Sequence, residues 1–276
     1  MSRAVTAVDT HAHIIDPVRF AYAPDAAYQP AGQEIGTLES YLAVLDAHAI
    51  SHAIVVQPTS GYRFDNRCVL DAVARSSGRL RAVVRVPPWR ARAFEHVLDA
   101  PGVVGVRLDL IGDGIDVVDA ADMPWLLDAL RERGLQLQIQ CEGDQLVRAL
   151  PVVAAAGAPV VVDHCGRPVP SRGLMQPGFA ALLALGREGH VVKLTGPFRF
   201  SETGTPYDDC APYLQALVDT FTADRCLWGS DWPYLRIHER LDYGPDLGLL
   251  ARWVPDPGAR RRILVDTPSR LFRLSD

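Results

Sequence analysis

Apolar runs and helical segments alternate eight times along this chain, and that alternation leaves few folds open. The runs, rich in Val, Ile and Leu, occupy residues 4–14, 52–57, 81–86, 103–110, 136–141, 159–164, 191–194 and 226–229. Segments with helical spacing follow at 38–49, 66–76, 91–98, 124–133, 145–156, 179–186, 211–221 and 260–272. Near-continuous apolar strands separated by helices imply a parallel sheet whose outer face is covered. Eight repeats in 276 residues, close to the ~250 typical of the fold, predict an α/β chain closed into a (β/α)8 TIM barrel. No linker divides it, so residues 1–276 are expected to form one domain.

Punctuation agrees with this division. Asp65 or Asn66 is placed to cap the second helix, and Asp122 precedes Pro124 as a cap before proline. Gly134 and Gly157 fall where helices should end. The longest irregular stretch, 16–36, carries Phe20, Tyr22 and Tyr28 among prolines. Following the first strand, it would overhang the barrel end where active sites form, either as a lid or as a packed Ω-like loop.

Composition excludes several partners. The net charge of −5 is spread without runs of one sign, which argues against a nucleic-acid surface or a membrane patch. Five cysteines, odd in number and without C-x-x-C spacing, fit a reduced, cytoplasmic protein. The N-terminus lacks the basic and apolar pattern of a secretory signal. No apolar run is long enough to span a bilayer.

The chemistry gathers at strand ends. His11 and His13 flank Ala12 on the first strand, and alternation points both imidazoles one way. Arg107 and Asp109 close the fourth strand, Glu142 the fifth, Asp163, His164 and Arg167 the sixth, Lys193 and Arg199 the seventh, and Asp231 the eighth. Singly, each has a plainer explanation: His164 as a core histidine, Asp231 as a turn residue or cap, Arg107 and Lys193 as halves of ion pairs. Their shared position at the end where barrel enzymes place catalytic groups favours a site.

His11-Ala12-His13, Asp163-His164-x-Gly166-Arg167-Pro168 and Trp228-Gly229-Ser230-Asp231-Trp232-Pro233, in that order, resemble the amidohydrolase superfamily. Within it the chain is similar to the amidohydrolase-2 branch, in particular to 2-pyrone-4,6-dicarboxylate lactonase and related sugar-lactone hydrolases. Metal-dependent members usually carry a ligating His on the fifth strand and often a carboxylated Lys on the fourth. Here the fifth strand offers Gln136, Gln138, Gln140, Cys141 and Glu142, and the fourth Arg107. No metal is therefore expected to be required. A single Zn2+, if bound, would use His11, His13 and Asp231 with Glu142 as a conceivable fourth ligand.

The resemblance implies hydrolysis of an anionic lactone. Asp231 would be the general base toward water, and His11, His13 and His164 would polarise the carbonyl. Arg107, Arg199 and Arg63 would grip acidic substituents, since planar guanidinium groups match carboxylate or sulfonate geometry. Two rivals stand beside this: a metal-dependent decarboxylase or amide hydrolase of the same superfamily, and a non-catalytic barrel that binds an anionic ligand.

Overall fold

The structure is a computed structural model that describes residues 4–274; residues 1–3 and 275–276 of the expected domain lie outside the described residues. Eight parallel strands form one sheet in sequence order: β1 (Val8–Ala12), β2 (His52–Val56), β3 (Leu80–Val84), β4 (Val103–Asp109), β5 (Gln136–Gln140), β6 (Val161–Val162), β7 (Val191–Lys193) and β8 (Cys226–Leu227). The barrel closes where Thr10 N donates to Trp228 O at 3.0 Å and Asp231 N donates to His11 O at 2.7 Å. Closure demands a close backbone approach there. A Cβ on Gly229 would lie 2.6 Å from His11 Cβ and N, so glycine alone fits.

Helices α1 (Leu38–Ala47), α2 (Arg67–Arg75), α3 (Glu95–Leu98), α4 (Met123–Arg133), α5 (Gln145–Ala155), α6 (Pro177–Glu188) and α7 (Ala211–Phe221) follow their strands. A further helix, α8 (Tyr243–Trp253), was not expected; Gly244, Pro245 and Gly248 interrupt its pattern. The expected closing helix is split into α9 (Pro257–Arg261), a π-helical turn at Arg262–Asp266 and α10 (Thr267–Phe272). The strands are shorter than their apolar runs, because each run continues past the last ladder bond into the loop above it. Asn66 and Asp122 precede their helices without capping through their side chains. Asn66 instead brackets the Arg85 backbone, and Asp122 accepts from Arg92 N at 3.1 Å. Gly134 ends α4 in the left-handed conformation, as expected.

The barrel interior has an apolar floor and a polar upper layer. Val8, Ile54, Val83, Val161, Val191 and Leu227 form the floor, and Phe272 and Leu274 of the C-terminal segment pack against it. Each such buried side chain contributes about 2 kcal/mol of hydrophobic stabilisation. Above the floor lie His11, Gln138, Asp163 and Lys193, all fully buried. A bulge makes both layers accessible to β1: two residues separate Asp9 from Ala12 where only one separates their partners Ala53 and Val55. In a regular strand Val8 and His11, an odd number apart, would face opposite ways. The extra residue re-aims the strand.

The 16–36 stretch is tied at its base, where Ile15 and Gly36 exchange hydrogen bonds of 2.8 and 3.1 Å. Tyr22 donates to Pro30 O and Tyr28 to Glu34 Oε2, both at 2.6 Å, so the segment packs on itself. All five cysteines are free, and no helix of the described residues is long and apolar enough to cross a membrane.

Candidate active site

Asp231 is the point on which the polar upper layer converges. Its Oδ1 lies 3.3 Å from His13 Nε2 and 3.7 Å from His11 Nε2, and its Oδ2 is 3.9 Å from His164 Nδ1. Arg199 Nε donates to the same Oδ2 at 2.5 Å. The backbone is arranged for this convergence at a cost. His164, Cys165 and Arg167 on one loop, and Asp231 on another, all have φ between 41° and 60°, the left-handed region that costs a non-glycine residue about 1 kcal/mol or more. Left-handed Gly196 leaves room beside them: a Cβ there would come within 3.1 Å of His164 Nδ1.

Asp9, not singled out by its sequence context, holds the two halves of the site together. It accepts from His11 N, Ser230 N, Ser230 Oγ, Tyr41 OH and Tyr243 OH, at 2.6–3.1 Å. Burial pushes its pKa up against the pull of these donors. The one available signal was a lone acid inside an apolar strand.

Beneath His11, the Lys193 ammonium is enclosed by three groups. It donates to Gln138 Oε1 at 2.7 Å, pairs with Asp163 Oδ1 at 3.0 Å and meets His11 Nδ1 at 3.2 Å. An ammonium has no acceptor, so the last contact is a hydrogen bond only when Nδ1 is the unprotonated nitrogen. Asp163 Oδ1 also lies 3.5 Å from Nδ1 and would accept from it, but the ammonium is the nearer group, and with Nδ1 accepting, the ring proton of His11 sits on Nε2, facing Asp231. Burial, and next the Lys193 charge, lower the His11 pKa to about 3, so this ring is neutral at ordinary pH. His164 is also held well below the usual value, first by burial. Burial alone would raise the carboxylates, but the neighbouring charges outweigh it: Arg199 holds Asp231, and Lys193 holds Asp163, well below the ordinary range. His13 differs from the other two. Its Nδ1 lies 2.7 Å from Val56 O, which can only accept, so Nδ1 carries a proton and Nε2 is the nitrogen turned to Asp231.

These groups floor a cavity of about 120 Å³ whose wall includes His13, Thr59, Arg107, Asp109, Arg167 and Arg199. Cavities of this order take one small ring. Arg107 and Arg199 are thus brought to the pocket with Asp231, His13 and His164, and His11 lies directly behind. Arg63 is not. It pairs with Asp25 and lines a separate outer cleft with Tyr62 and Trp89. Glu142 is exposed and does not line the cavity. Arg167, expected at the end of the sixth strand, does line it, and so does Arg236, which the sequence did not single out.

Could these residues hold a metal? Among the described residues, ligand atoms of His11, His164 and Asp231 lie within 4.8 Å of one another, a set that replaces the expected His13 with His164. The span suits one ion, but the surroundings do not. The Lys193 contact puts a proton on the His11 nitrogen that would ligate, and Arg199 already occupies one oxygen of Asp231. The donor set therefore fits a divalent cation poorly.

Comparison with known proteins places this geometry in context. The amidohydrolase family model matches residues 8–274. The chain is 36% identical over 272 residues to a 4-sulfomuconolactone hydrolase of Rhizobium radiobacter, covering 96% of this chain and 89% of that one. It is 32% identical over 281 residues to a 2-pyrone-4,6-dicarboxylate hydrolase of Comamonas testosteroni, covering 96% and 90%. Among solved structures, a probable 2-pyrone-4,6-dicarboxylic acid hydrolase from Acinetobacter baumannii with citric acid bound superposes with a TM-score of 0.88 at 26% identity, over 98% of this chain and all of that one.

Proposed function

The chain belongs to the amidohydrolase family, and from that premise we propose that it is a hydrolase that opens an anionic lactone by water attack, with Asp231 as general base. One observation carries this reading: an ionised, buried carboxylate faces three imidazole rings at the floor of a ring-sized cavity walled by arginines. The names of its relatives, hydrolases of lactones that bear sulfonate or carboxylate groups, support the substrate class.

A lactone is an activated ester, so its opening needs a base for water, a donor for the carbonyl oxygen and a proton for the leaving oxygen. Asp231 Oδ1, which has no hydrogen-bond partner, takes a proton from water as the oxygen attacks the ring carbonyl. A carboxylate with a depressed pKa is a weak base, but it is in its basic form at every working pH. His11 Nε2–H donates to the carbonyl oxygen as negative charge grows there, with the neutral ring of His164 beside it. His13, anchored on Val56 O, stands 3.3 Å from the same Oδ1 of Asp231 and walls the space the water enters. When the tetrahedral intermediate collapses, the carbon to ring-oxygen bond breaks and Asp231 returns its proton to that oxygen. The product is a carboxylic acid, which ionises and releases one proton. No step requires a metal, in keeping with the cationic surroundings of the histidines.

The test is proton release, followed by indicator dye, from a panel of acidic lactones: pyrone carboxylates, muconolactones, sulfomuconolactone and aldarolactones. Turnover of at least one member is expected. Absence of turnover on all of them would contradict the assignment.

A further inference from the structure

Resting on the lactone reading, we propose that the cavity wall formed by Asp109 and Gln140 recognises a hydroxyl group on the substrate ring, so that the preferred substrate is a hydroxylated lactone with one acid group rather than a dicarboxylate.

The two residues stand side by side. Asp109 and Gln140 are register partners on the adjacent strands β4 and β5, and both line the cavity. In a ring of eight strands β4 lies four places from β8, so this wall is across the barrel from Asp231. The loop after β4 helps to build it: Gly112 N donates to Asp109 Oδ1 at 2.9 Å, and Thr59 Oγ1 donates to Oδ2. A Cβ on Gly112 would collide with Oδ2, so only glycine lets the loop approach the carboxylate so closely. An ionised carboxylate offers about four acceptor sites, and these two donors leave the rest unfilled. Beside it, Gln140 Oε1 is buried and accepts from no described residue. Buried acceptors without donors are costly, and a ligand that brings donors relieves that cost.

The charge balance selects the kind of donor. Burial alone would raise the Asp109 pKa, but the Arg107 and Arg85 charges outweigh it and hold the carboxyl below the ordinary range. Both cations are already engaged. Arg107 donates to Gln57 O at 2.8 Å and lies 3.9 Å from Asp163 Oδ2, and Arg85 is paired with Asp113. A substrate carboxylate at this wall would meet Asp109 as a like charge, and an ammonium would meet Arg107 and Arg85 in the same way. A bare C–H edge would leave both acceptors orphaned. A hydroxyl is neutral and able to donate, and two vicinal hydroxyls would satisfy Asp109 and Gln140 together. The arginines elsewhere in the wall remain for a single acid group.

The test measures, by calorimetry, the binding of benzoate, 3,4-dihydroxybenzoate and isophthalate to wild type, Asp109→Asn and Gln140→Leu. Wild type is expected to bind the diol about tenfold or more tighter than benzoate, and isophthalate more weakly than benzoate. In Asp109→Asn the preference for the diol should fall below about threefold and isophthalate should gain on benzoate; Gln140→Leu should lose part of the diol preference alone. No binding of any of the three to wild type, equal wild-type affinities for benzoate and the diol, or a diol preference unchanged in Asp109→Asn would overturn the proposal. Equal weakening of all three ligands in Asp109→Asn would overturn it as well, since a merely structural role predicts that result. In parallel, Asp109→Asn should lower kcat/KM for glucaro-1,4-lactone relative to that for 2-pyrone-6-carboxylate by about tenfold, and an unchanged ratio would count against the subsite. If wild type opens neither compound, the lactone reading fails for these rings, and the calorimetry still decides about Asp109 and Gln140.

Discussion

Lys193 and His11, 182 positions apart in the chain, meet beneath the cavity with Nζ 3.2 Å from Nδ1. Because the ammonium can only donate, this contact selects one tautomer of the ring and turns a histidine of the common H-x-H pattern into a hydrogen-bond donor. The expected consequence is visible in solution. Long-range 15N–1H spectra should place the His11 proton on Nε2 and keep the ring neutral from pH 5 to about 8, since its pKa is lowered to about 3. In Lys193→Gln the tautomer preference should weaken.

Through His11, acid should destabilise the fold before Asp163 and Asp231 titrate. In the unfolded chain His11 binds a proton near pH 6.5, and in the folded protein only near pH 3. Between these values the unfolded state binds more protons, so stability falls as pH is lowered through this window, by up to about 1.4 kcal/mol per pH unit for one such group. His164 adds to this in the same direction. Asp163 and Asp231 act lower: their stabilisation is complete above about pH 4 and is lost only as pH falls toward their depressed folded values. Urea midpoints measured at pH 7, 6 and 5 should decline steadily, and less steeply in His11→Asn.

Gly229→Ala tests the closure of the barrel beside the site. The new Cβ would lie 2.6 Å from His11 backbone and side-chain atoms, so β1 must shift. A loss of about 1–3 kcal/mol in unfolding free energy is expected, together with a fall in kcat larger than any change in KM. An unchanged kcat would mean that the position of His11 relative to Asp231 matters little.

The barrel was legible in the sequence because eight apolar runs and their helices obey simple periodicity. What escaped was tertiary in origin. The bulge between Asp9 and Ala12 lets Val8 and His11 share one interior, a departure that alternation cannot foresee. Asp231 and the three histidines were readable from motif and strand-end position, and the structure brings them together. Arg63 was drawn in by a neighbouring motif, yet its partner is Asp25 on the 16–36 stretch.

Removal of metal should leave the enzyme active. With a proton on His11 Nε2 and Arg199 on Asp231, dialysis against a strong chelator is expected to leave turnover of an acidic lactone unchanged within error. Loss of activity restored by added Zn2+ would show instead that His11, His164 and Asp231 work as ligands.

Asp231→Asn offers the most direct measurement. The amide preserves shape but cannot accept the proton of water, so kcat on the best acidic lactone should drop by about a thousandfold or more while equilibrium binding of benzoate persists. A variant that turns over at the wild-type rate would remove the base from the mechanism and contradict the assignment of the site.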